Sequence, residues 1–126
     1  MPLAPGLEAV LTHQVTEADT ARALGSGDLA VLGTPALLAL AERATVAAVA
    51  TAVPPEATTV GTRVQLDHLR ASRVGAVITV TARLVAVDER LLRFEVAAED
   101  GDGTLIGHGE VRRVVVDRDR FLARLR

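Results

Sequence analysis

Apolar residues along this chain follow a helical rhythm first and strand alternation later. From Thr34 to Thr51 the sequence TPALLALAERATVAAVAT carries only two charges, Glu42 and Arg43. The pattern predicts one helix over 34–51, about 27 Å long at about 1.5 Å per residue. Thr34 suits the N-cap, Pro35 suits the first helical position, and Pro54 and Pro55 stop the run. A helix apolar nearly all round predicts a buried central rod. Leu38, Glu42, Thr45 and Val49 fall on one stripe of that rod, so Glu42 sits among residues that favour burial. An acid there needs a partner or has a task.

The remaining elements read as strands. Leu7 to Val15 is a short β-type run, and Thr16 to Leu24 fits one or two helical turns before the flexible loop Gly25-Ser26-Gly27-Asp28. In the stretch ending at His68, Val60, Thr62, Val64, Leu66 and His68 form the more apolar set and are expected to face the helix. Ala76 to Val87 alternates strictly, with Ile78, Val80, Ala82 and Leu84 on one side. Leu91 to Glu99 places Leu92, Phe94, Val96 and Ala98 together, and Asp100-Gly101-Asp102-Gly103 is a hairpin signal. Thr104 to Val116 is the last strand, and Asp117 is placed to cap a closing helical turn. The order is strand, helix, then four antiparallel strands joined by short connections: an α+β chain in which a long, curling sheet wraps a helix. One such unit leaves a sheet edge and a helix flank open, which a homodimer would close.

Composition narrows the chemistry. The 126 residues suffice for a single domain, 1–126, with one core. A net charge of -2 and the lack of Trp and Tyr argue against a nucleic-acid surface, and the absence of Cys excludes disulfides and thiolate chemistry. The N-terminus has no basic, apolar leader pattern, and Glu42 with Arg43 argues against a membrane span, so a cytoplasmic protein is expected. No spacing suggests a metal site, and no phosphate-loop, dinucleotide or nucleophile-elbow motif occurs, so no cofactor is expected.

A few polar residues remain. Thr34 is either an N-cap or a group at the mouth of a cleft. Along a straight helix it lies about 12 Å from Glu42, too far for a direct hydrogen bond. Glu42 either pairs with Arg43 or a strand arginine, or acts chemically. His68 is either a half-buried structural histidine or a general base. Of Arg112 and Arg113 one faces in and one out, and either both snorkel to solvent or they serve as an anion clamp. His13 and His108 read as surface histidines. Gly107-His108-Gly109 suggests a bulge or a close backbone approach.

Taken together, Gly33-Thr34 followed by the helix with Glu42, Gly61-Thr62 followed by His68, and Gly107-x-Gly109 followed by Arg113 resemble the hot-dog thioesterases of the fluoroacetyl-CoA thioesterase type, over about Leu7 to Val116. The resemblance implies a hot-dog fold with about five strands. It implies Thr34, Glu42 and His68 as the catalytic constellation, Gly61 lining the site and Arg113 near the substrate. It also implies an acyl-CoA thioester as substrate and a homodimer with sites at its interface. In the fluoroacetyl-selective enzyme a Phe-bearing segment forms a lid before the catalytic Thr. The corresponding stretch here, Gly25-Ser26-Gly27-Asp28-Leu29, has no aromatic, so a small or medium acyl group is expected, without selectivity for fluoroacetyl. The alternatives are a non-catalytic hot-dog protein binding acyl-CoA or another small apolar ligand, and a hydratase. The hydratase would require Asp and His close together in sequence, which this helix lacks.

Overall fold

The computed structural model describes residues 2–125. Five antiparallel strands, β1 (Glu8–Gln14), β2 (Ala57–His68), β3 (Val77–Asp88), β4 (Leu91–Glu99) and β5 (Leu105–Asp117), form one sheet in the order β1-β3-β4-β5-β2. The helices are α1 (Ala21–Leu24), α2 (Thr34–Val49) and α3 (Arg118–Ala123). The sheet curves around α2, as the hot-dog outline requires. Among the described residues no helix is long and apolar enough to cross a membrane.

The alternation in β3 and β4 does what it predicts. Ile78, Val80, Ala82 and Leu84 are buried, as are Leu92, Phe94, Val96 and Ala98, and all pack into one cluster with the helix. At the closing turn the Asp117 side chain accepts a hydrogen bond from the Arg120 N–H and caps α3.

Three expectations need correction. First, the four strands after the helix are not one continuous meander: β2 pairs with β5, at the far side of the sheet from β1. The connection over 69–76 is long enough to cross, and it is tied down where Leu32 N–H donates to the Ser72 carbonyl at 2.8 Å. Second, α2 is not the rod buried nearly all round that its apolar run suggests, although one open flank is expected of a single unit. Leu37, Leu40, Ala41, Ala44, Thr45, Ala48 and Val49 are buried, whereas Ala39, Arg43, Val46, Ala47 and Ala50 face outward. Five strands curve around only one side of a rod, and the other flank carries three alanines with Val46 and Arg43. Third, Thr34 is not the N-cap. Gly33 is, with extended backbone (φ -77, ψ 146), and its carbonyl accepts from both Ala36 and Leu37 N–H. Thr34 therefore begins the helix with its hydroxyl free for another use.

A bulge in β2 matters most for the site. Gly61 pairs with Arg113 and Arg63 with Arg112, so Thr62 is the extra residue and the strand's parity switches there. Val64, Leu66 and His68 face the helix as expected. Before the bulge the inward set is Thr59 and Gly61, not Val60 and Thr62: Thr59 bonds the buried Arg113, and a side chain on Gly61 would run into the Glu42 carboxylate.

Candidate active site

Two polar clusters lie along α2. The first sits at its N-terminus. β2 ends on His68 beside the start of the helix, and Thr34 Oγ1 lies 2.8 Å from His68 Nδ1. The ring is half-buried, and its Nε2 is buried without a hydrogen-bond partner among the described residues. Burial pushes the His68 pKa below its ordinary value, because desolvation penalises the imidazolium; the nearby Arg70 backbone opposes this in part. The neutral ring, which can accept a proton, is thus the favoured form. The pair opens onto a cleft of about 270 Å³ whose walls include Ala21, Leu32, Gly33, Leu69 and Arg70. Pro35 has no N–H, and the Ala36 and Leu37 N–H groups are both spent on Gly33. The helix mouth therefore offers a developing anion the Thr34 N–H and the positive end of the helix dipole.

The second cluster lies about two turns further along. Arg113 Nη1 is 3.2 Å from Glu42 Oε2, while Arg113 Nε donates to Thr59 Oγ1 at 2.8 Å and Nη2 to the Thr59 carbonyl at 3.1 Å. Arg113 is 7% exposed, and the Glu42 side chain 34%. Desolvation lowers the Arg113 pKa, and Glu42 offsets part of that shift. Arginine remains a cation all the same. Gly61 is what admits the carboxylate: a Cβ there would collide with Glu42 Oε2 and come within 3.3 Å of Arg113 Nη1.

The structure thus joins Thr34 with His68, and Glu42 with Arg113 and Gly61, but does not join the two groups within one chain. Glu42 has the strand-arginine partner that burial demanded, and His68 is the neighbour of Thr34, not of Glu42. Of the arginine pair, Arg113 faces in and Arg112 out. Sequence reasoning missed Thr59, which holds Arg113 through both its hydroxyl and its carbonyl; only the parity switch at Thr62 brings it inward. His13 is not a free surface histidine either. It is half-buried, with Nε2 2.7 Å from Asp19 Oδ2. The close approach expected at Gly107-His108-Gly109 is present, since a Cβ on Gly109 would collide with the Gln65 carbonyl. Among the described residues no group of three or more metal-ligating side chains occurs.

Comparison with known proteins bears on this geometry. The family model of the fluoroacetyl-CoA-specific thioesterase matches residues 15–119. The chain is 35% identical over 96 residues to the fluoroacetyl-CoA thioesterase of Streptantibioticus cattleyicolor, covering 76% of this chain and 68% of that protein. A crystal structure of a point variant of the fluoroacetyl-CoA-specific thioesterase, bound to fluoroacetate and CoA, superposes with a TM-score of 0.88 at 30% identity, over 94% of this chain and 99% of that one. A hot-dog-like protein from Thermanaerovibrio acidaminovorans superposes with a TM-score of 0.87 at 22% identity, over 97% and 90% of the two chains, and shares the fold. With a hot-dog sheet around α2 and a histidine-hydroxyl pair at the helix mouth, the chain belongs to the fluoroacetyl-CoA-specific thioesterase family.

Proposed function

We propose that this thioester hydrolase acts on acyl-CoA thioesters with a small or medium acyl group, without selectivity for fluoroacetyl, and that Thr34, His68 and Glu42 carry the reaction. The observation that carries the reading is the 2.8 Å contact between Thr34 Oγ1 and the neutral-favouring His68. His68 accepts the proton of the attacking hydroxyl, from Thr34 itself or from water held beside it. The Thr34 N–H and the helix dipole face the oxygen on which charge develops. Glu42 supplies the carboxylate, oriented by Arg113 across Gly61. Its distance from His68 within one chain is bridged in a homodimer whose partner covers the open helix flank, bringing one chain's Glu42 cluster toward the other's Thr34 and His68. The segment Gly25-Ser26-Gly27-Asp28-Leu29 beside the cleft supports an acyl preference set by aliphatic contact, because it places no aromatic ring there.

The test is release of free CoA from acetyl, fluoroacetyl, branched, medium-chain and aryl CoA thioesters. Turnover of several of these, with no preference for fluoroacetyl-CoA, is expected; tight binding without turnover across the whole panel would favour the non-catalytic alternative. The pH profile of kcat/KM adds a signed expectation. The base form of His68 is the reactive one and burial lowers its pKa, so the acid limb should fall below the ordinary histidine value of 6.5. A limb above that value would contradict the desolvation argument.

The dimer makes its own prediction. Light scattering on the eluted protein should give twice the 13.2 kDa chain mass. Val46, 46% exposed on the open flank of α2, should report the contact: Val46→Arg places a charge where apolar surface is to be covered and should shift the protein toward monomer. A Val46→Arg protein that stays dimeric would place the interface elsewhere.

A further inference from the structure

The outer face of the sheet carries a feature that the hydrolytic site does not use. Arg63 on β2 is register-paired with Arg112 on β5, and Arg112 is register-paired with Arg93 on β4. Directly paired residues on adjacent strands point the same way, so three arginines stand side by side across three strands. At a strand spacing of about 4.8 Å the row spans about 10 Å. Like charges directly opposite one another disfavour the sheet. One carboxylate answers two of them: Glu110 lies 3.2 Å from Arg93 Nη1 and 3.6 Å from Arg112 Nη2. Arg63 has no ion pair among the described residues.

The row borders a concavity of about 450 Å³. It lies where β2 and β3 both bulge, at Thr62 and between Leu84 and Ala86. Its lining combines the three guanidinium groups with Thr62, the acid Asp88 and an apolar floor to which Leu91, 54% exposed, contributes. This concentration of positive charge occurs in a chain of net charge -2.

We propose that this groove is an anion site for a pyrophosphate group, either free or carried by a nucleoside diphosphate. A single carboxylate or phosphate would engage one guanidinium fork, whereas two linked phosphates match a line of three forks about 10 Å long. A bound pyrophosphate would also relieve the repulsion between neighbouring arginines that Glu110 only partly offsets. The groove shares no lining residue with the Thr34–His68 cleft, so binding here stands or falls separately from the hydrolytic activity.

The test is calorimetric titration of the full chain with inorganic pyrophosphate at low salt, then with ADP. Saturable binding is expected, weakening as salt rises. Arg63→Gln combined with Arg112→Gln should weaken it at least tenfold while the circular dichroism spectrum is unchanged, since both side chains are exposed. Glu110→Gln removes the competing carboxylate and should tighten binding, an effect that nonspecific loss of structure would not produce. Equal affinity for pyrophosphate and ADP identifies the free anion as sufficient. Tighter ADP binding that is lost with the arginines, and lowered again by Leu91→Ser, places the nucleoside on the apolar floor. No saturable heat with either probe, or equal binding by wild type and the double arginine variant, overturns the proposal.

Discussion

His68→Ala should lower acyl-CoA hydrolysis at least about 100-fold, the scale of a lost general base and about 2.7 kcal/mol of transition-state stabilisation. The ring is half-buried at the end of β2, and removing it takes away the only hydrogen-bond partner of the Thr34 hydroxyl among the described residues. Thr34→Val keeps volume and β-branching while deleting that hydroxyl, and should fall comparably; Thr34→Ser should retain much of the rate. Groups that act as one unit are not additive. The double variant should therefore be scarcely slower than either single variant, an outcome that two independent structural effects would not give. Glu42→Gln tests the third member. It leaves an oxygen for Arg113 to bond, so the fold should persist while hydrolysis drops by about the same factor. Wild-type turnover in both His68→Ala and Glu42→Gln, with circular dichroism showing intact folds, would sink the proposed constellation.

How much of this was legible in the sequence depended on whether a local period was unbroken. β4, and β3 as far as Leu84, show regular alternation of apolar residues, so their inward faces could be read directly. β2 could not be read so, because Val and Thr occupy both of its faces and one extra residue at Thr62 leaves no mark in such a pattern. The error had consequences: it turned Gly61 outward and hid Thr59, and with them the setting of Arg113. The helix was legible, and so was the prospect of one open flank; which residues line that flank was not, since alanine is compatible with either burial or exposure and the reach of a curved sheet is not a local property. The capping role expected of Thr34 was wrong, because Gly33 is the N-cap. A shift of one residue, with Gly33 taking the cap, separates a capping hydroxyl from a free one. The pairing of Thr34 with His68 spans 34 residues and comes from the β2–β5 ladder, which brings the end of β2 to the mouth of the helix. Only the resemblance of the spaced motifs, and no period in the chain, pointed to that meeting.

The same ladder sets the largest expected effect on stability. Gly109 sits in β5 between Leu66 of β2 and Val96 of β4. A Cβ there would collide with the Gln65 carbonyl oxygen and lie 2.9 Å from both the Gln65 carbonyl carbon and Leu66 Cα. All three are backbone atoms, so no rotamer change makes room and β2 must move off β5. Overpacking of this kind typically costs about 1–3 kcal/mol. With backbone as the obstacle Gly109→Ala should lie at or above the upper end, lowering the melting temperature by about 10 °C in a chain of this size. Gly101→Ala is the control: its Cβ meets no heavy atom within 4 Å, so its melting should match wild type. The displaced segment runs directly into His68, two residues beyond Leu66. Gly109→Ala should therefore also lose hydrolysis at a temperature where circular dichroism still reports a folded chain, because the imidazole no longer meets the Thr34 hydroxyl at hydrogen-bonding distance. A Gly109→Ala protein that melts with wild type would mean that the strands part there at little cost. One that melts early yet hydrolyses normally would mean that the placement of His68 does not depend on the β2–β5 register.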